Sequence, residues 1–123
     1  NYTAIYFISL LSDGQHDFTY FRSNSAASHY TTSDLNIDYL RRARLFHTSG
    51  ITLALSQSCR EAALKGAEVV RGSGGLFSFD VNFRSKLWHQ DVARPYIEEA
   101  IAKAATQFAR FLGAGLVLDL GID

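Results

Sequence analysis

Phe79-Asp80-Val81-Asn82-Phe83-Arg84-Ser85-Lys86-Leu87-Trp88 is the stretch from which the chain is best read. An apolar strand, Leu76 to Phe79, leads into it. Polar groups follow at Asp80, Asn82 and Arg84, and then an aromatic anchor, Trp88. In α/β chains ligands collect beyond the carboxyl ends of parallel strands. A strand that releases an acid, an amide and a guanidinium at that end is therefore a site candidate. Arg84 is the sharpest member, because a planar guanidinium holds a carboxylate or phosphate through two parallel hydrogen bonds. The same residues also read as a helix cap, or as an Asp80–Arg84 pair at a strand end.

Upstream, Gly72-Ser73-Gly74-Gly75 closes a helix and opens this strand. A phosphate loop has the reverse context, so the run is read as a C-cap and turn. The helix before it carries Ser58-Cys59-Arg60-Glu61, in capping-box form, and a stripe of Cys59, Ala62, Ala63, Ala67 and Val70 suited to close packing on a sheet. Arg44 to His47 reads as a short strand ended by Ser49-Gly50, with Ile51 at its mouth. A short helix is predicted near Asp34 to Ala43, with Leu35, Tyr39 and Leu40 inward. Downstream, Asp91 caps a helix with Pro95 in its first turn. Tyr96, Ile97, Ala100, Ile101, Ala104, Phe108, Phe111 and Leu112 keep a helical period, Glu98 and Glu99 face solvent, Gly113 to Gly115 end the helix, and Leu116 to Leu120 is a last strand. Strands separated by helices imply right-handed crossovers and a mainly parallel sheet, an α/β fold.

The amino-terminal part has the period of a hairpin. Tyr2 to Leu11 and His16 to Arg22 alternate on either side of Ser12-Asp13-Gly14-Gln15, whose Asp-Gly supplies positive φ angles. Alternation places Phe18, Tyr20 and Arg22 on one face, and Thr19 and Phe21 on the other. Both faces carry aromatics. One face is expected on the body and the other on a ligand or a second subunit, unless the whole hairpin is tucked into a core. Arg22 weighs against the tucked arrangement, since a buried guanidinium needs an acid partner. Ser23 to Asp34 is a loop of small and hydroxylated residues, either a backbone approach to a ligand or a plain linker.

The 123 residues make one domain or a piece of one. Twelve basic and twelve acidic residues cancel, which argues against a nucleic-acid surface or a polybasic membrane patch. Cys59 is the only cysteine, so no intramolecular disulfide forms, which suits a cytoplasmic protein. No apolar run approaches the ~18 residues of a spanning helix. His16, His29, His47 and His89 lack metal-ligand spacing, alone or with Cys59. The chain has no Met, starts directly before a strand pattern and ends directly after one, so it reads as a fragment.

Three stretches resemble the ribokinase-like carbohydrate kinase family, and within it the 2-keto-3-deoxygluconate kinases most narrowly. They are Phe18-Thr19-Tyr20-Phe21-Arg22-Ser23-Asn24-Ser25-Ala26-Ala27, His47-Thr48-Ser49-Gly50-Ile51-Thr52-Leu53-Ala54-Leu55-Ser56, and Phe79 to Trp88. The resemblance covers residues 1 to about 104. It implies part of a parallel-sheet αβα sandwich with a small β-hairpin lid, residues 1–22 being the lid and 44–123 the α/β units of one incomplete domain. It implies transfer of the ATP γ-phosphoryl group, with magnesium, to the terminal hydroxyl of a sugar acid. By the same likeness Tyr6, Tyr20, Arg22, Ile51 and Arg84 contact substrate, with Asn82 a weaker candidate. Arginines neutralise and orient an acid, and phenols donate to hydroxyls while their rings cover the sugar. Assembly of a homo-oligomer through the lid is a further expectation.

The departures are specific. The family's Gly-Ala-Gly-Asp phosphate motif ends in its catalytic base, but here Leu116 follows Gly113-Ala114-Gly115. The family's amino-terminal Gly-Gly motif is absent, Asp119 stands where a lysine is usual, and a segment is expected to be missing near 104–105. The chain is thus expected to hold much of a substrate half-site, with base and nucleotide site outside it, and to be inactive alone. Two other readings remain: another sugar kinase of the family, and a non-catalytic module that binds sugar acids or assembles through its hairpin.

Overall fold

A computed structural model describes residues 1–112, with side chains described through Ala104. The expected glycine stop at 113–115 and the strand at 116–120 lie outside these residues. Eight elements follow in order: strands β1 (Ile5–Leu10) and β2 (His16–Phe21), helix α1 (Ile37–Arg41), strand β3 (Leu45–Ser49), helices α2 (Gly50–Leu55) and α3 (Gln57–Gly72), strand β4 (Leu76–Asp80) and helix α4 (Gln90–Leu112). β3 and β4 are parallel, in register from Leu45 opposite Leu76 to Ser49 opposite Asp80. The intervening α2–α3 makes this a strand–helix–strand crossover, the unit of an α/β fold. β1 and β2 form a separate antiparallel hairpin, with Tyr6 opposite Tyr20.

The core lies where β4 meets α2, α3 and α4. Leu53, Ala63, Ala67, Phe77, Trp88, Ala93, Ile97 and Ala100 are buried together. The small residues of α3 let it approach the sheet. A Cβ on Gly66 would come within 2.9 Å of the Phe46 ring, which itself stacks 6.1 Å from Phe77. All five residues of the expected stripe, Cys59 to Val70, are buried. The Gly72 to Gly75 run does end a helix: α3 stops at Gly72, and Gly74 takes φ +86°.

Several local expectations are corrected. The cap of α3 is Ser56, not Ser58: its hydroxyl accepts from the Cys59 N–H at 3.1 Å, because α2 and α3 abut with only Ser56 between them. Pro95 sits in the second turn of α4 and Asp91 within the first, since the helix already starts at Gln90. α1 is five residues long and is capped by Asn36, which accepts from the Tyr39 N–H at 2.9 Å. Only Leu40 of its expected inward set is fully buried, and Tyr39 is 65% exposed. In the hairpin turn Gly14 alone has positive φ, while Asp13 accepts from the Gln15 N–H.

The hairpin differs most from expectation. Every residue of β1 and β2 is exposed, so neither face lies on the body and the strands are not tucked into a core. The rings pack on each other instead. Tyr6, Phe18 and Tyr20 lie about 6 Å apart on one face, and Phe7 meets Phe21 edge-on on the other. What ties the hairpin to the body is the following segment. The Tyr2 hydroxyl donates to the Ser23 carbonyl, and the Ala26 N–H donates to the Tyr2 carbonyl at 2.8 Å. The loop after it is not irregular throughout, since short 3-10 turns form at Ala26–His29 and Thr32–Asp34. No described helix is long and apolar enough to cross a membrane.

Candidate functional site

β3 and β4 end side by side, and the chain leaves each of them sharply. β3 passes straight into α2 at Gly50. A Cβ there would overlap the Val81 carbonyl oxygen, so only glycine lets the two strand ends approach this closely. Asn82 takes φ +29°, a left-handed conformation that asparagine tolerates better than most residues, and this turns the chain out of β4. The next turn is closed by the Leu87 N–H donating to the Arg84 carbonyl at 2.9 Å.

Trp88 then fixes that turn to the core. Its ring is buried and stacks on Tyr96, 6.4 Å away. The Arg60 guanidinium lies over both rings, 4.0 Å from Tyr96 and 5.2 Å from Trp88, while its Nε donates to the Leu53 carbonyl at 3.1 Å. One arginine of α3 thereby joins α2, α4 and the anchor of the Arg84 turn. The spacing Arg84-x-x-x-Trp88 is a local lever: the buried indole holds, and the guanidinium projects.

The Arg84 turn and the hairpin both border a cleft of about 490 Å³. Tyr20 and Arg22 of the hairpin line it together with Ile51 at the start of α2 and Arg84. Phe18, Phe83, Ser85 and Lys86 complete it, with His16 and Asp17 at the start of β2. Arg22 is held over the face of Tyr20, 4.2 Å from the ring centroid. This cation–π contact preorganises a guanidinium for which, as for Arg84, no ion pair forms among the described residues. The alternative Asp80–Arg84 pair is likewise not formed. Another cavity, about 480 Å³ between α1, β3 and α3, is walled mainly by apolar groups such as Leu40, Phe46, Leu55 and Ala62, and brings no lysine or arginine.

Four of the expected substrate residues, Tyr20, Arg22, Ile51 and Arg84, thus border one cleft. Tyr6 stands on the same hairpin face, 6.0 Å from the Tyr20 ring, but does not line it. Asn82 shapes the strand exit without reaching the cleft wall. The cleft residues His16, Asp17, Phe83, Ser85 and Lys86 carried no expectation of a ligand role from sequence, and Phe18 carried one only as a member of a hairpin face. Phe18 was legible from strand alternation with Tyr20, whereas Ser85 and Lys86 reach the cleft through the Arg84 turn, which no periodicity announces. Among the described residues no group of three His, Cys, Asp or Glu could hold a metal ion.

The model of the pfkB family carbohydrate kinases matches residues 1–112. A fructokinase of Solanum tuberosum is 39% identical over 89 residues, 72% of this chain and 28% of that protein. Among solved structures, a PfkB protein from Polaromonas sp. JS666 superposes with a TM-score of 0.78 at 32% identity, over 84% of this chain and 35% of that one. The 2-dehydro-3-deoxygluconokinase of Thermotoga maritima does so with a TM-score of 0.76 at 26% identity, over 92% and 37%. The chain therefore spans under a third of the length of the curated relative and little more than a third of the two structures.

Proposed function

The chain belongs to the pfkB family of carbohydrate kinases, and on that premise we propose that the protein carrying it phosphorylates the terminal hydroxyl of 2-keto-3-deoxygluconate. One observation carries this reading: two guanidiniums, Arg22 of the hairpin and Arg84 of the turn after β4, border the same cleft. A neutral hexose gives two such groups no anion to pair with, while a sugar acid gives both a carboxylate. Tyr20, and Tyr6 behind it, cover the polyol with their rings, and Ile51 contributes an apolar wall. The carboxylate anchors one end of the substrate and leaves the far hydroxyl free for transfer, which is how binding at a distance from the reacting atom becomes orientation.

ATP supplies the phosphoryl group, and magnesium neutralises its charge. Because Leu116 follows Gly113-Ala114-Gly115 where the family's phosphate motif has its catalytic base, the general base and the nucleotide site are assigned to the rest of the protein, and residues 1–123 alone are proposed to be inactive. The hairpin 1–22 acts as a lid over the cleft. Its other face, with Ile5, Phe7 and Phe21 all about half exposed, meets a second copy in a homo-oligomer. Light scattering over a concentration series that shows only monomer removes the oligomer.

The fructokinase relatives favour a second reading, in which the same cleft takes fructose. A coupled assay on the intact protein with ATP and 2-keto-3-deoxygluconate, fructose or ribose decides between them. Turnover of fructose or ribose but not of the acid overturns the sugar-acid reading. Sugar-acid binding by calorimetry without any ATP turnover points to a non-catalytic module instead.

A further inference from the structure

The cleft is more cationic than a pair of arginines requires. Charges cancel over the whole chain, yet three fixed cations border this one cavity, Arg22, Arg84 and Lys86, against a single carboxylate, Asp17. Strand alternation turns Asp17 to the hairpin face opposite that of Phe18, Tyr20 and Arg22. Lys86 makes no ion pair among the described residues. It is also not a lysine on a loose loop. The turn that carries it is closed between Arg84 and Leu87, Leu87 packs against the core, and Trp88 is buried in it. Ser85 and Lys86 therefore line the cleft next to Arg84, on a turn that is held from its far end.

Resting on the sugar-acid reading above, we infer that Lys86 is a further specificity-determining residue, one that selects anionic substrates over uncharged sugars by its charge. The three cations divide the work according to their chemistry. A guanidinium recognises a carboxylate by direction, through a planar fork, and Arg22 is already oriented by Tyr20. An ammonium is a compact point charge with rotatable donors. Beside Arg84 it raises the potential of the cleft for any anion without setting its orientation. Its removal weakens binding of the acid equally in ground and transition states, which appears in KM and not in kcat.

The test uses the intact protein and compares kcat/KM for 2-keto-3-deoxygluconate and fructose in the wild type, Lys86→Gln, Lys86→Arg and Lys86→Glu. The expected result is a roughly tenfold rise in KM for the acid in Lys86→Gln with kcat little changed, and a fall of about a hundredfold in kcat/KM in Lys86→Glu. Lys86→Arg stays within about threefold of wild type, fructose kcat/KM changes far less than that for the acid in Lys86→Gln and Lys86→Glu, and the salt dependence of KM for the acid flattens in Lys86→Gln. A wild-type enzyme that prefers the acid, with Lys86→Gln and Lys86→Glu keeping the full preference, overturns the role of Lys86 alone. A wild-type enzyme that prefers fructose overturns this inference and the sugar-acid reading together.

Discussion

Replacing Gly50 by alanine should damage stability and catalysis through a single contact. The added Cβ would fall inside the van der Waals shell of the Val81 carbonyl oxygen, 3.1 Å from its carbon and 3.6 Å from the Asn82 oxygen. A relaxed C···O contact needs roughly 3.3 Å, so the two strand ends must part by about 1 Å. Both partners are backbone, so no side-chain rotation relieves the clash. Overpacking of this kind destabilises by about 1–3 kcal/mol. The displaced segment, Val81-Asn82, leads directly to the Arg84 turn, while Gly50 precedes Ile51, which lines the same cleft. A misplacement of about 1 Å at a positioned group can lower the rate about a hundredfold. Denaturant unfolding and steady-state kinetics of the intact protein would measure both effects. A Gly50→Ala variant within about 0.5 kcal/mol of wild type and with unchanged kcat/KM would refute the packing argument, and with it the claim that these strand ends set the site geometry.

Other substitutions separate the layers of the structure. Arg84→Ala should lower kcat/KM for the sugar acid by about 30- to 1,000-fold, equivalent to 2–4 kcal/mol of lost charged contact, and unchanged kinetics would remove Arg84 from the site. Phe77→Ala removes a ring that is 5% exposed and stacked on Phe46; a loss of about 3–5 kcal/mol by denaturant unfolding is expected, and less than 1 kcal/mol would place the core elsewhere. Asp34 accepts from the Thr31 N–H and then from the Thr31 hydroxyl, and these bonds hold its carboxyl below the usual aspartate range. A folded-state value below the unfolded one means that the stabilisation is present above the unfolded pKa and is lost as pH falls through the folded one. An NMR titration of Asp34 should show the low midpoint, with a partial return toward the ordinary value in Thr31→Val; a midpoint at the ordinary aspartate value in the wild type would refute the cap.

The strand–helix–strand unit, the hairpin and the closing glycines of α3 were legible from residues 1–112 alone. Hydrophobic period and turn chemistry act over a few residues, and nothing distant competes with them there. The helix starts were not. Ser56 and Ser58 are both hydroxyls before an apolar stripe, and only the abutment of α2 on α3 chooses Ser56. The same limit applied at α4, where Asp91 is a good cap by type but the helix begins at Gln90, two residues before the start that an Asp91 cap would set.

The site divides along the same line. Residue type alone marked Arg84 and set Arg22 apart as a guanidinium out of place in a core, whereas Tyr6, Tyr20 and Ile51 came from the family resemblance. That Arg22 and Arg84 border one cavity, although 62 positions apart in the chain, is a property of tertiary structure. So is the exposure of both hairpin faces, because alternation records which side chains share a face but not what covers it. Lys86 entered the cleft for the same reason: Trp88 is buried, and burial of one residue decides the direction of its neighbours in a way that no local pattern encodes.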